Sequence, residues 1–472
     1  MIYDLMIKNG TVVTPDGPIK ADIAVQDGKI AALLKGEPDS LEEASATPDL
    51  KAKVSDREQE EGIFKENPVS VFDASGCVIF PGGVDVHVHM EDLGAEDFED
   101  WSHGSYAAAL GGTTTVVDMP IDCIPSTVNR ETVQKKLKRI EGRSYVDYLL
   151  WGGLSSDNKD EIPGMLKEGV AGLKAFRIEC GIEDYHRTPD DVLRETMELS
   201  VKRHFPLMIH AENEAMNRAA IKAHEWSEDY SDWTYMQPAE GEAKEVGFCA
   251  DLARETGAKV HIAHVSNRLT LKEIRRAKAE GARVTCETCP HYLLFTVKDY
   301  GEKGPALKCA PPVREPEDLE ALWEALKDGT IDMVSSDHSP NTVQAPTPYV
   351  KDAWAGVSGL QQNLLCLYGE GHVKRGMSLE MVAKIFSANA AKLLGIADRT
   401  GSIEVGKSAD LTILDPNQKT CFDEATIQTK IKEGIYLGET MTGKIVATFL
   451  RGEKICHGAP KGKYIPKHYV GM

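Results

Sequence analysis

Apolar and polar positions alternate with period two over the first 35 residues, in "DLMIKNGTVV" and "ADIAVQDGKIAAL", with turn signals at Asn9-Gly10, Asp16-Gly17 and Asp27-Gly28. That period belongs to half-buried strands joined by tight turns, so the segment reads as a β meander. The same character returns near the other end, in "GSIEVGKSADLTILD" and "KIVATFLRGEKIC". Strand-rich termini on either side of a long centre predict one small β-sandwich built from both ends, with the central domain inserted between them.

From about residue 82 to 395 the pattern changes. Short apolar runs ("TTTVVDM", "VDYLLWGG", "VAGLKAF", "FPLMIHAE", "KVHIAHVS", "ARVTCET", "IDMVSSDH") alternate with helical stretches such as "LTLKEIRRAKAEG" and "DLEALWEALKDG". Buried strands with helical crossovers predict a parallel sheet, and the number of units favours closure into a (β/α)8 TIM-type barrel of the α/β class. The expected division is 1–80 for the first part of the sandwich, 81–395 for the barrel, 396–455 for the second part of the sandwich and 456–472 for a basic tail laid across a neighbouring surface. Residues 36–68, rich in Glu, Asp, Ser and Lys, read as a surface insertion that buries little.

The chain of 472 residues carries 54 basic and 74 acidic side chains, a formal charge of −20. That balance repels phosphate backbones and anionic surfaces, so neither a nucleic acid nor a membrane is expected as partner. No apolar run reaches membrane-spanning length and the first residues lack a signal-type pattern, so a cytoplasmic location is expected. Ten scattered cysteines fit reduced thiols. The lone CxxC, Cys286 and Cys289 in "CETCPHY", lacks the second pair that would make it a convincing zinc site.

The stretch "VIFPGGVDVHVHM" places His87 and His89 two residues apart, where a strand projects both from one face at the separation two metal ligands need. The ends of later apolar runs carry Lys174, His210, His264 and Asp337. Active sites of such barrels gather at the C-terminal strand ends, which makes these six a candidate metal constellation. Lysine fits only after modification, because an ammonium is cationic and a donor only. Carbamylation to N6-carboxylysine would make Lys174 an anionic ligand able to bridge two divalent ions, and two such ions can activate water and polarise a carbonyl.

The chain resembles the amidohydrolase superfamily and, within it, the cyclic amidohydrolases (hydantoinases, dihydropyrimidinases, dihydroorotases, allantoinases). The matching motifs, in family order, are "PGGVDVHVH", "AALGGTTTVVDMP", "GLKAFRIECG", "MIHAENE", "HIAHVSN", "CETCPHYLLF", "KCAPPVRE" and "SSDHSP". The resemblance implies a binuclear centre, with zinc as the expected metal. His87, His89, carbamylated Lys174 and Asp337 would hold the more buried ion, and Lys174, His210 and His264 the other. Asp337 would act as general base, and the protein would form a homo-oligomer, often a tetramer.

Within the family, an Arg after HxH would receive a substrate carboxylate, but here Met90, Glu91 and Asp92 follow. A Tyr five residues after the lysine is replaced by Glu179. "VDYLLWGGL", "CPHYLLFT" and "AWAGVSGLQ" match the allantoinase-like pattern. The implied reaction is opening of allantoin to allantoate, with Thr288, Ala310, Ser358 and Gly359 binding the cyclic ureide. The alternatives are hydrolysis of another hydantoin or ureide, and a scaffold member without catalysis, which retention of all six ligand positions disfavours. Arg177 and the loop from Met90 to Asp100 are candidates for the substrate entrance. His338, Glu212 and Asp118 are candidates for orienting the ligands. His103, His186, His204, His224, His372, His457 and His468 belong to no constellation.

Overall fold

The computed structural model describes residues 3–35, 70–340 and 350–471; the expected insertion at 36–68 lies outside the described residues. The chain begins with β1 (Leu5–Thr14), β2 (Gly17–Gln26), β3 (Lys29–Lys35), β4 (Ser70–Asp73) and β5 (Val78–Pro81). There follow β6 (Gly83–Val88), β7 (Thr113–Asp118), β8 (Asp147–Leu150), β9 (Gly152–Leu154), β10 (Leu173–Phe176), β11 (Leu207–His210), β12 (Val260–Ile262), β13 (Val284–Thr288) and β14 (Met333–Val334). The last are β15 (Leu411–Cys421), β16 (Thr440–Leu450) and β17 (Glu453–Lys454).

The terminal strands form a sheet of their own, ordered β17-β16-β15-β5-β1-β2-β3, with β4 also paired to β1. Strand β5 joins the two ends of the chain, running parallel to β1 on one side and antiparallel to β15 on the other. Alternation supplies its core: Ile7, Ile23, Val25, Ile79, Leu411, Ile413 and Phe449 pack as one buried cluster.

The central strands are parallel and paired in sequence order, β6-β7-β8 and β9-β10-β11-β12-β13-β14. Strands β8 and β9 are consecutive halves of one strand, joined at Trp151. The ring closes where Val88 bridges His338 and the His89 amide donates to the His338 carbonyl at 2.7 Å. Counting β8 and β9 together, this is the eight-stranded barrel the sequence predicts, its helices outside. The helix Arg268–Ala279 shows why such segments are helical: Asn267 caps it by accepting from the Leu269 and Thr270 amides, and Thr270, Leu271, Ile274 and Ala277 make a buried stripe.

The tail lies against the chain's own barrel. The Gly462 amide donates to Ser144 O at 2.8 Å, Ile465 to Tyr148 O at 2.9 Å and Lys467 to Gly169 O at 2.9 Å. These acceptors stand near the N-terminal ends of the strands, away from the histidines. No helix among the described residues is long and apolar enough to cross a membrane.

Candidate active site

His87, His89, His210, His264 and Asp337 line one cavity of about 300 Å³ at the C-terminal strand ends. Lys174 on β10 is wholly buried, its Nζ 5.0 Å from the ring centroid of Phe176 in the cavity wall. A larger groove of about 900 Å³, lined by Val13, Lys259, Arg283 and Asn389 among others, contains none of the six.

Plain alternation does not put the first two histidines here. Val84 and Val86 belong to the apolar cluster that includes Val117, Met208 and Met333, yet His87, one residue on, lines the cavity. The β6–β7 pairing resolves this: Asp85 pairs with Val116 but Val88 with Asp118, so β6 carries one extra residue between them. Such a bulge re-aims the side chains beyond it. Two other site residues sit in left-handed backbone without being glycine, His264 at φ 38° and Asp337 at φ 47°. Backbone of this kind is costly and concentrates where a side chain must be aimed.

His87 Nε2 stands 3.0 Å and His89 Nε2 3.6 Å from Asp337 Oδ1. A ring nitrogen from each histidine and an Asp337 oxygen all lie within 4.8 Å of one another, close enough to share an ion. His210 Nδ1 faces His264 Nε2 at 2.9 Å. Carboxylates hold the far sides of three rings: Glu287 Oε1 is 2.6 Å from His87 Nδ1, Asp122 Oδ2 is 2.7 Å from His89 Nδ1 and Glu212 Oε2 is 2.8 Å from His210 Nε2. Carboxylate support of this sort fixes ring orientation and raises ligand basicity.

The electrostatics suit a cation. Burial pushes the Lys174 ammonium down to about 8, only partly opposed by Asp337 and Glu287, and its Nζ has no hydrogen-bond partner. Burial and the adjacent His210 hold His264 well below its ordinary value, leaving it neutral with lone pairs free to coordinate. Burial alone would raise Asp337, but His87 and His89 outweigh it and keep the carboxyl ionised. Burial also opposes charge on His89, yet Asp122 overcomes it and lifts the imidazole to about 10, so a metal would displace a proton there. An orphaned buried amine beside converging histidines and carboxylates fits a divalent metal centre.

Of the four residues expected to bind substrate, Ala310 lines the cavity. Thr288 does not, because its hydroxyl donates to Val265 O at 2.8 Å. Ser358 and Gly359 line a separate crevice, Gly359 N donating to His338 Nδ1 at 3.2 Å, while Gly356 and Val357 reach the cavity instead. Arg177 does not line the entrance: it is 2% exposed, pairs with Glu245 at 2.7 Å and also binds Asp190 and Thr188 O. The Met90–Asp100 loop likewise stays behind the wall. Asp92 is held by Arg139 at 2.7 Å and Arg143 at 2.8 Å, and burial with nearby Asp122 pushes Glu91 up to about 10, making it a neutral acid.

Glu212 does contact a candidate ligand, His210. Asp118 pairs with Lys136 instead, and His338 faces Glu99. Sequence reasoning missed Glu287, Asp122 and His291, although each stands just past or at the end of a strand, the place that marked the six. Glu287 also faces His261 at 3.3 Å. His291 is 1% exposed, lines the cavity and is driven to about 4 by burial.

Comparison with known proteins agrees with this geometry. An allantoinase of Salmonella choleraesuis (strain SC-B67) is 34% identical over 487 aligned residues, taking in 99% of this chain and 100% of the relative. Among solved structures, the L-hydantoinase (dihydropyrimidinase) from Arthrobacter aurescens superposes with a TM-score of 0.88 at 31% identity, covering 99% of this chain and 100% of that one. A D-hydantoinase gives a TM-score of 0.83 at 26% identity, with 98% of each chain covered. Residues 78–453, from the strand before the first histidine pair to the last strand of the terminal sheet, match the Amidohydrolase family, and with the barrel and its histidine cluster in place the chain belongs to that family.

Proposed function

We propose that this protein hydrolyses a cyclic amide, with allantoin as substrate and allantoate as product. The observation that carries the reading is full-length similarity to an allantoinase combined with a cavity that offers no free cation to a substrate carboxylate. Lys308 is the one Lys or Arg among the described lining residues, and its Nζ is turned to Ala353 O at 2.5 Å and to the Trp233 ring at 4.0 Å. A neutral ureide suits such walls better than an anionic ring.

His87, His89, Asp337 and a carbamylated Lys174 would hold one divalent ion, and Lys174, His210 and His264 a second, with zinc the expected metal. When bound, the metal pair supplies Lewis-acid polarisation of the amide carbonyl and lowers the pKa of water. Asp337, ionised and buried at the cavity wall, accepts the proton of the attacking water and passes it to the departing ring nitrogen. Glu287, Asp122 and Glu212 keep His87, His89 and His210 aimed while this happens. A cytoplasmic homo-oligomer, and domain limits near residues 80, 395 and 455, belong to the same reading.

The hydantoinase-like structures favour a second reading, opening of a hydantoin or dihydropyrimidine by the same groups. The deciding experiment measures allantoate release by purified protein reconstituted with divalent metal and bicarbonate. Turnover of allantoin well above that of hydantoin supports the first reading; hydantoin turnover without allantoate replaces it with the second.

A further inference from the structure

Two polar groups in the cavity wall lie outside the six candidate ligands, although His291, Cys289 and Asp337 also offer ligand atoms within 4.8 Å of one another. His291 lies in the short helix Pro290–Leu294, and neither of its ring nitrogens has a partner; among the described buried histidines it alone is unpartnered on both. One of these nitrogens lies within 4.8 Å of an Asp337 carboxylate oxygen. Gln237, 7% exposed, follows the helix Asp232–Met236. Its backbone carbonyl accepts from Arg314 at 2.5 Å, but its side-chain Oε1 has no partner. Both residues line the same cavity as the histidine cluster.

Folded proteins leave few buried polar atoms unpaired, because each has lost its water without recovering a hydrogen bond. Two other polar groups in this wall are committed: Lys308 to Ala353 O, and Trp233 Nε1 to Cys309 O at 2.7 Å. His264 Nδ1 is also unpartnered, but that ring faces His210 through Nε2 and belongs to the metal cluster. Outside the six candidate ligands, the buried unpartnered atoms of the described lining residues are the His291 ring nitrogens, able to donate beside the proposed base, and Gln237 Oε1, able to accept.

We propose that His291 and Gln237 are substrate-binding residues that orient a neutral ureide, His291 donating a ring N–H to a substrate carbonyl and Gln237 Oε1 accepting a urea N–H. A ureide offers both partners on one planar –NH–CO– edge, whereas a carboxylate offers acceptors only and would leave Gln237 unmatched. The assignment rests on the cyclic-ureide reading and names the residues that select it.

The test compares metal-loaded wild type with His291→Met and Gln237→Leu, on allantoin and on hydantoin, which lacks the ureido arm. Metal content is expected to be unchanged and kcat/KM for allantoin to fall about tenfold to a hundredfold in each variant, with KM carrying the loss in Gln237→Leu. The thermal midpoint without substrate should hold or rise, because each replacement removes an unpaired buried polar group; a purely packing role would lower it and spare the kinetics. Variants within twofold of wild type on allantoin overturn the proposal while leaving the activity intact. If wild type opens hydantoin but not allantoin, the allantoin reading fails, and the proposal stands only if both variants lose hydantoin turnover by the same factor. A wild type that neither binds nor opens any neutral cyclic ureide overturns both.

Discussion

Lys174→Met in metal-free, bicarbonate-free protein should stabilise the fold while destroying the site. The unmodified amine is wholly buried and unpartnered, and burial brings it from an ordinary 10.5 down to about 8. That displacement corresponds to about 3 kcal/mol held against folding wherever the ammonium is the ordinary form. The sign follows from proton counting: between about pH 8 and 10.5 the unfolded chain binds the proton and the folded one does not, so stability contributed by this group rises with pH in that window. The penalty is complete below pH 8, and at pH 9.5 it has shrunk to less than half. Methionine matches the length of the stem without the charge, so the variant should melt a few degrees above wild type at pH 7, and the gap should narrow at pH 9.5. Circular dichroism melts of the two apo proteins at both pH values are the assay. An equal or lower midpoint for the variant at pH 7, or a gap that ignores pH, refutes the reasoning. The same depression favours carbamylation, since it leaves far more of the amine neutral and nucleophilic near neutral pH than an exposed lysine would be. Wild type given 13C-bicarbonate and divalent metal should accordingly show a carbamate resonance that Lys174→Met lacks.

Asp337→Asn should retain the fold and lose about two to four orders of magnitude in kcat, read by steady-state turnover alongside metal content, because the amide cannot accept the proton. Glu287→Gln removes the carboxylate 2.6 Å from His87 Nδ1 and should weaken metal affinity about tenfold to a hundredfold, measured by competition with a chelating dye; unchanged affinity would mean that the barrel wall, not Glu287, holds the ring. Arg177→Met leaves Glu245 buried without its charged partner, only Asn213 still donating to it, and should cost about 3 to 5 kcal/mol in denaturant unfolding, with kcat/KM unchanged in the folded fraction. A kinetic effect without a stability loss would return Arg177 to the substrate path.

The barrel was legible because buried parallel strands leave near-continuous apolar runs, and the six candidate ligands because each follows such a run. What surrounds them was not. Arg177 and Glu245 are 68 residues apart, so the pair that takes the guanidinium out of the cavity leaves no local signal. Glu91 and Asp92 look like two charges in sequence. In space Asp92 is matched by two arginines and Glu91 is kept neutral by burial and nearby Asp122, so they are not two free charges that would repel an anion. The case against an anionic substrate then rests on the missing free cation. Ser358 and Gly359 missed the cavity by one or two residues, because their segment turns away after Val357.

The first histidine pair shows most clearly where pattern reading stops. "VDVHVH" satisfies period two, and period two alone places the histidines opposite the valines. Val86 nonetheless packs in the cluster with Val117 and Met208 while the next residue, His87, lines the cavity, and the extra residue between Asp85 and Val88 makes both possible. No single-strand pattern encodes that slip, because it is a property of the pairing with β7. The same holds for the left-handed backbone at His264 and Asp337, where no glycine announces the turn. In each case the chain departs from regular strand geometry at a residue that must point into the site. Regular periodicity therefore identifies the scaffold, and its local failures identify where the scaffold has been bent to hold the chemistry.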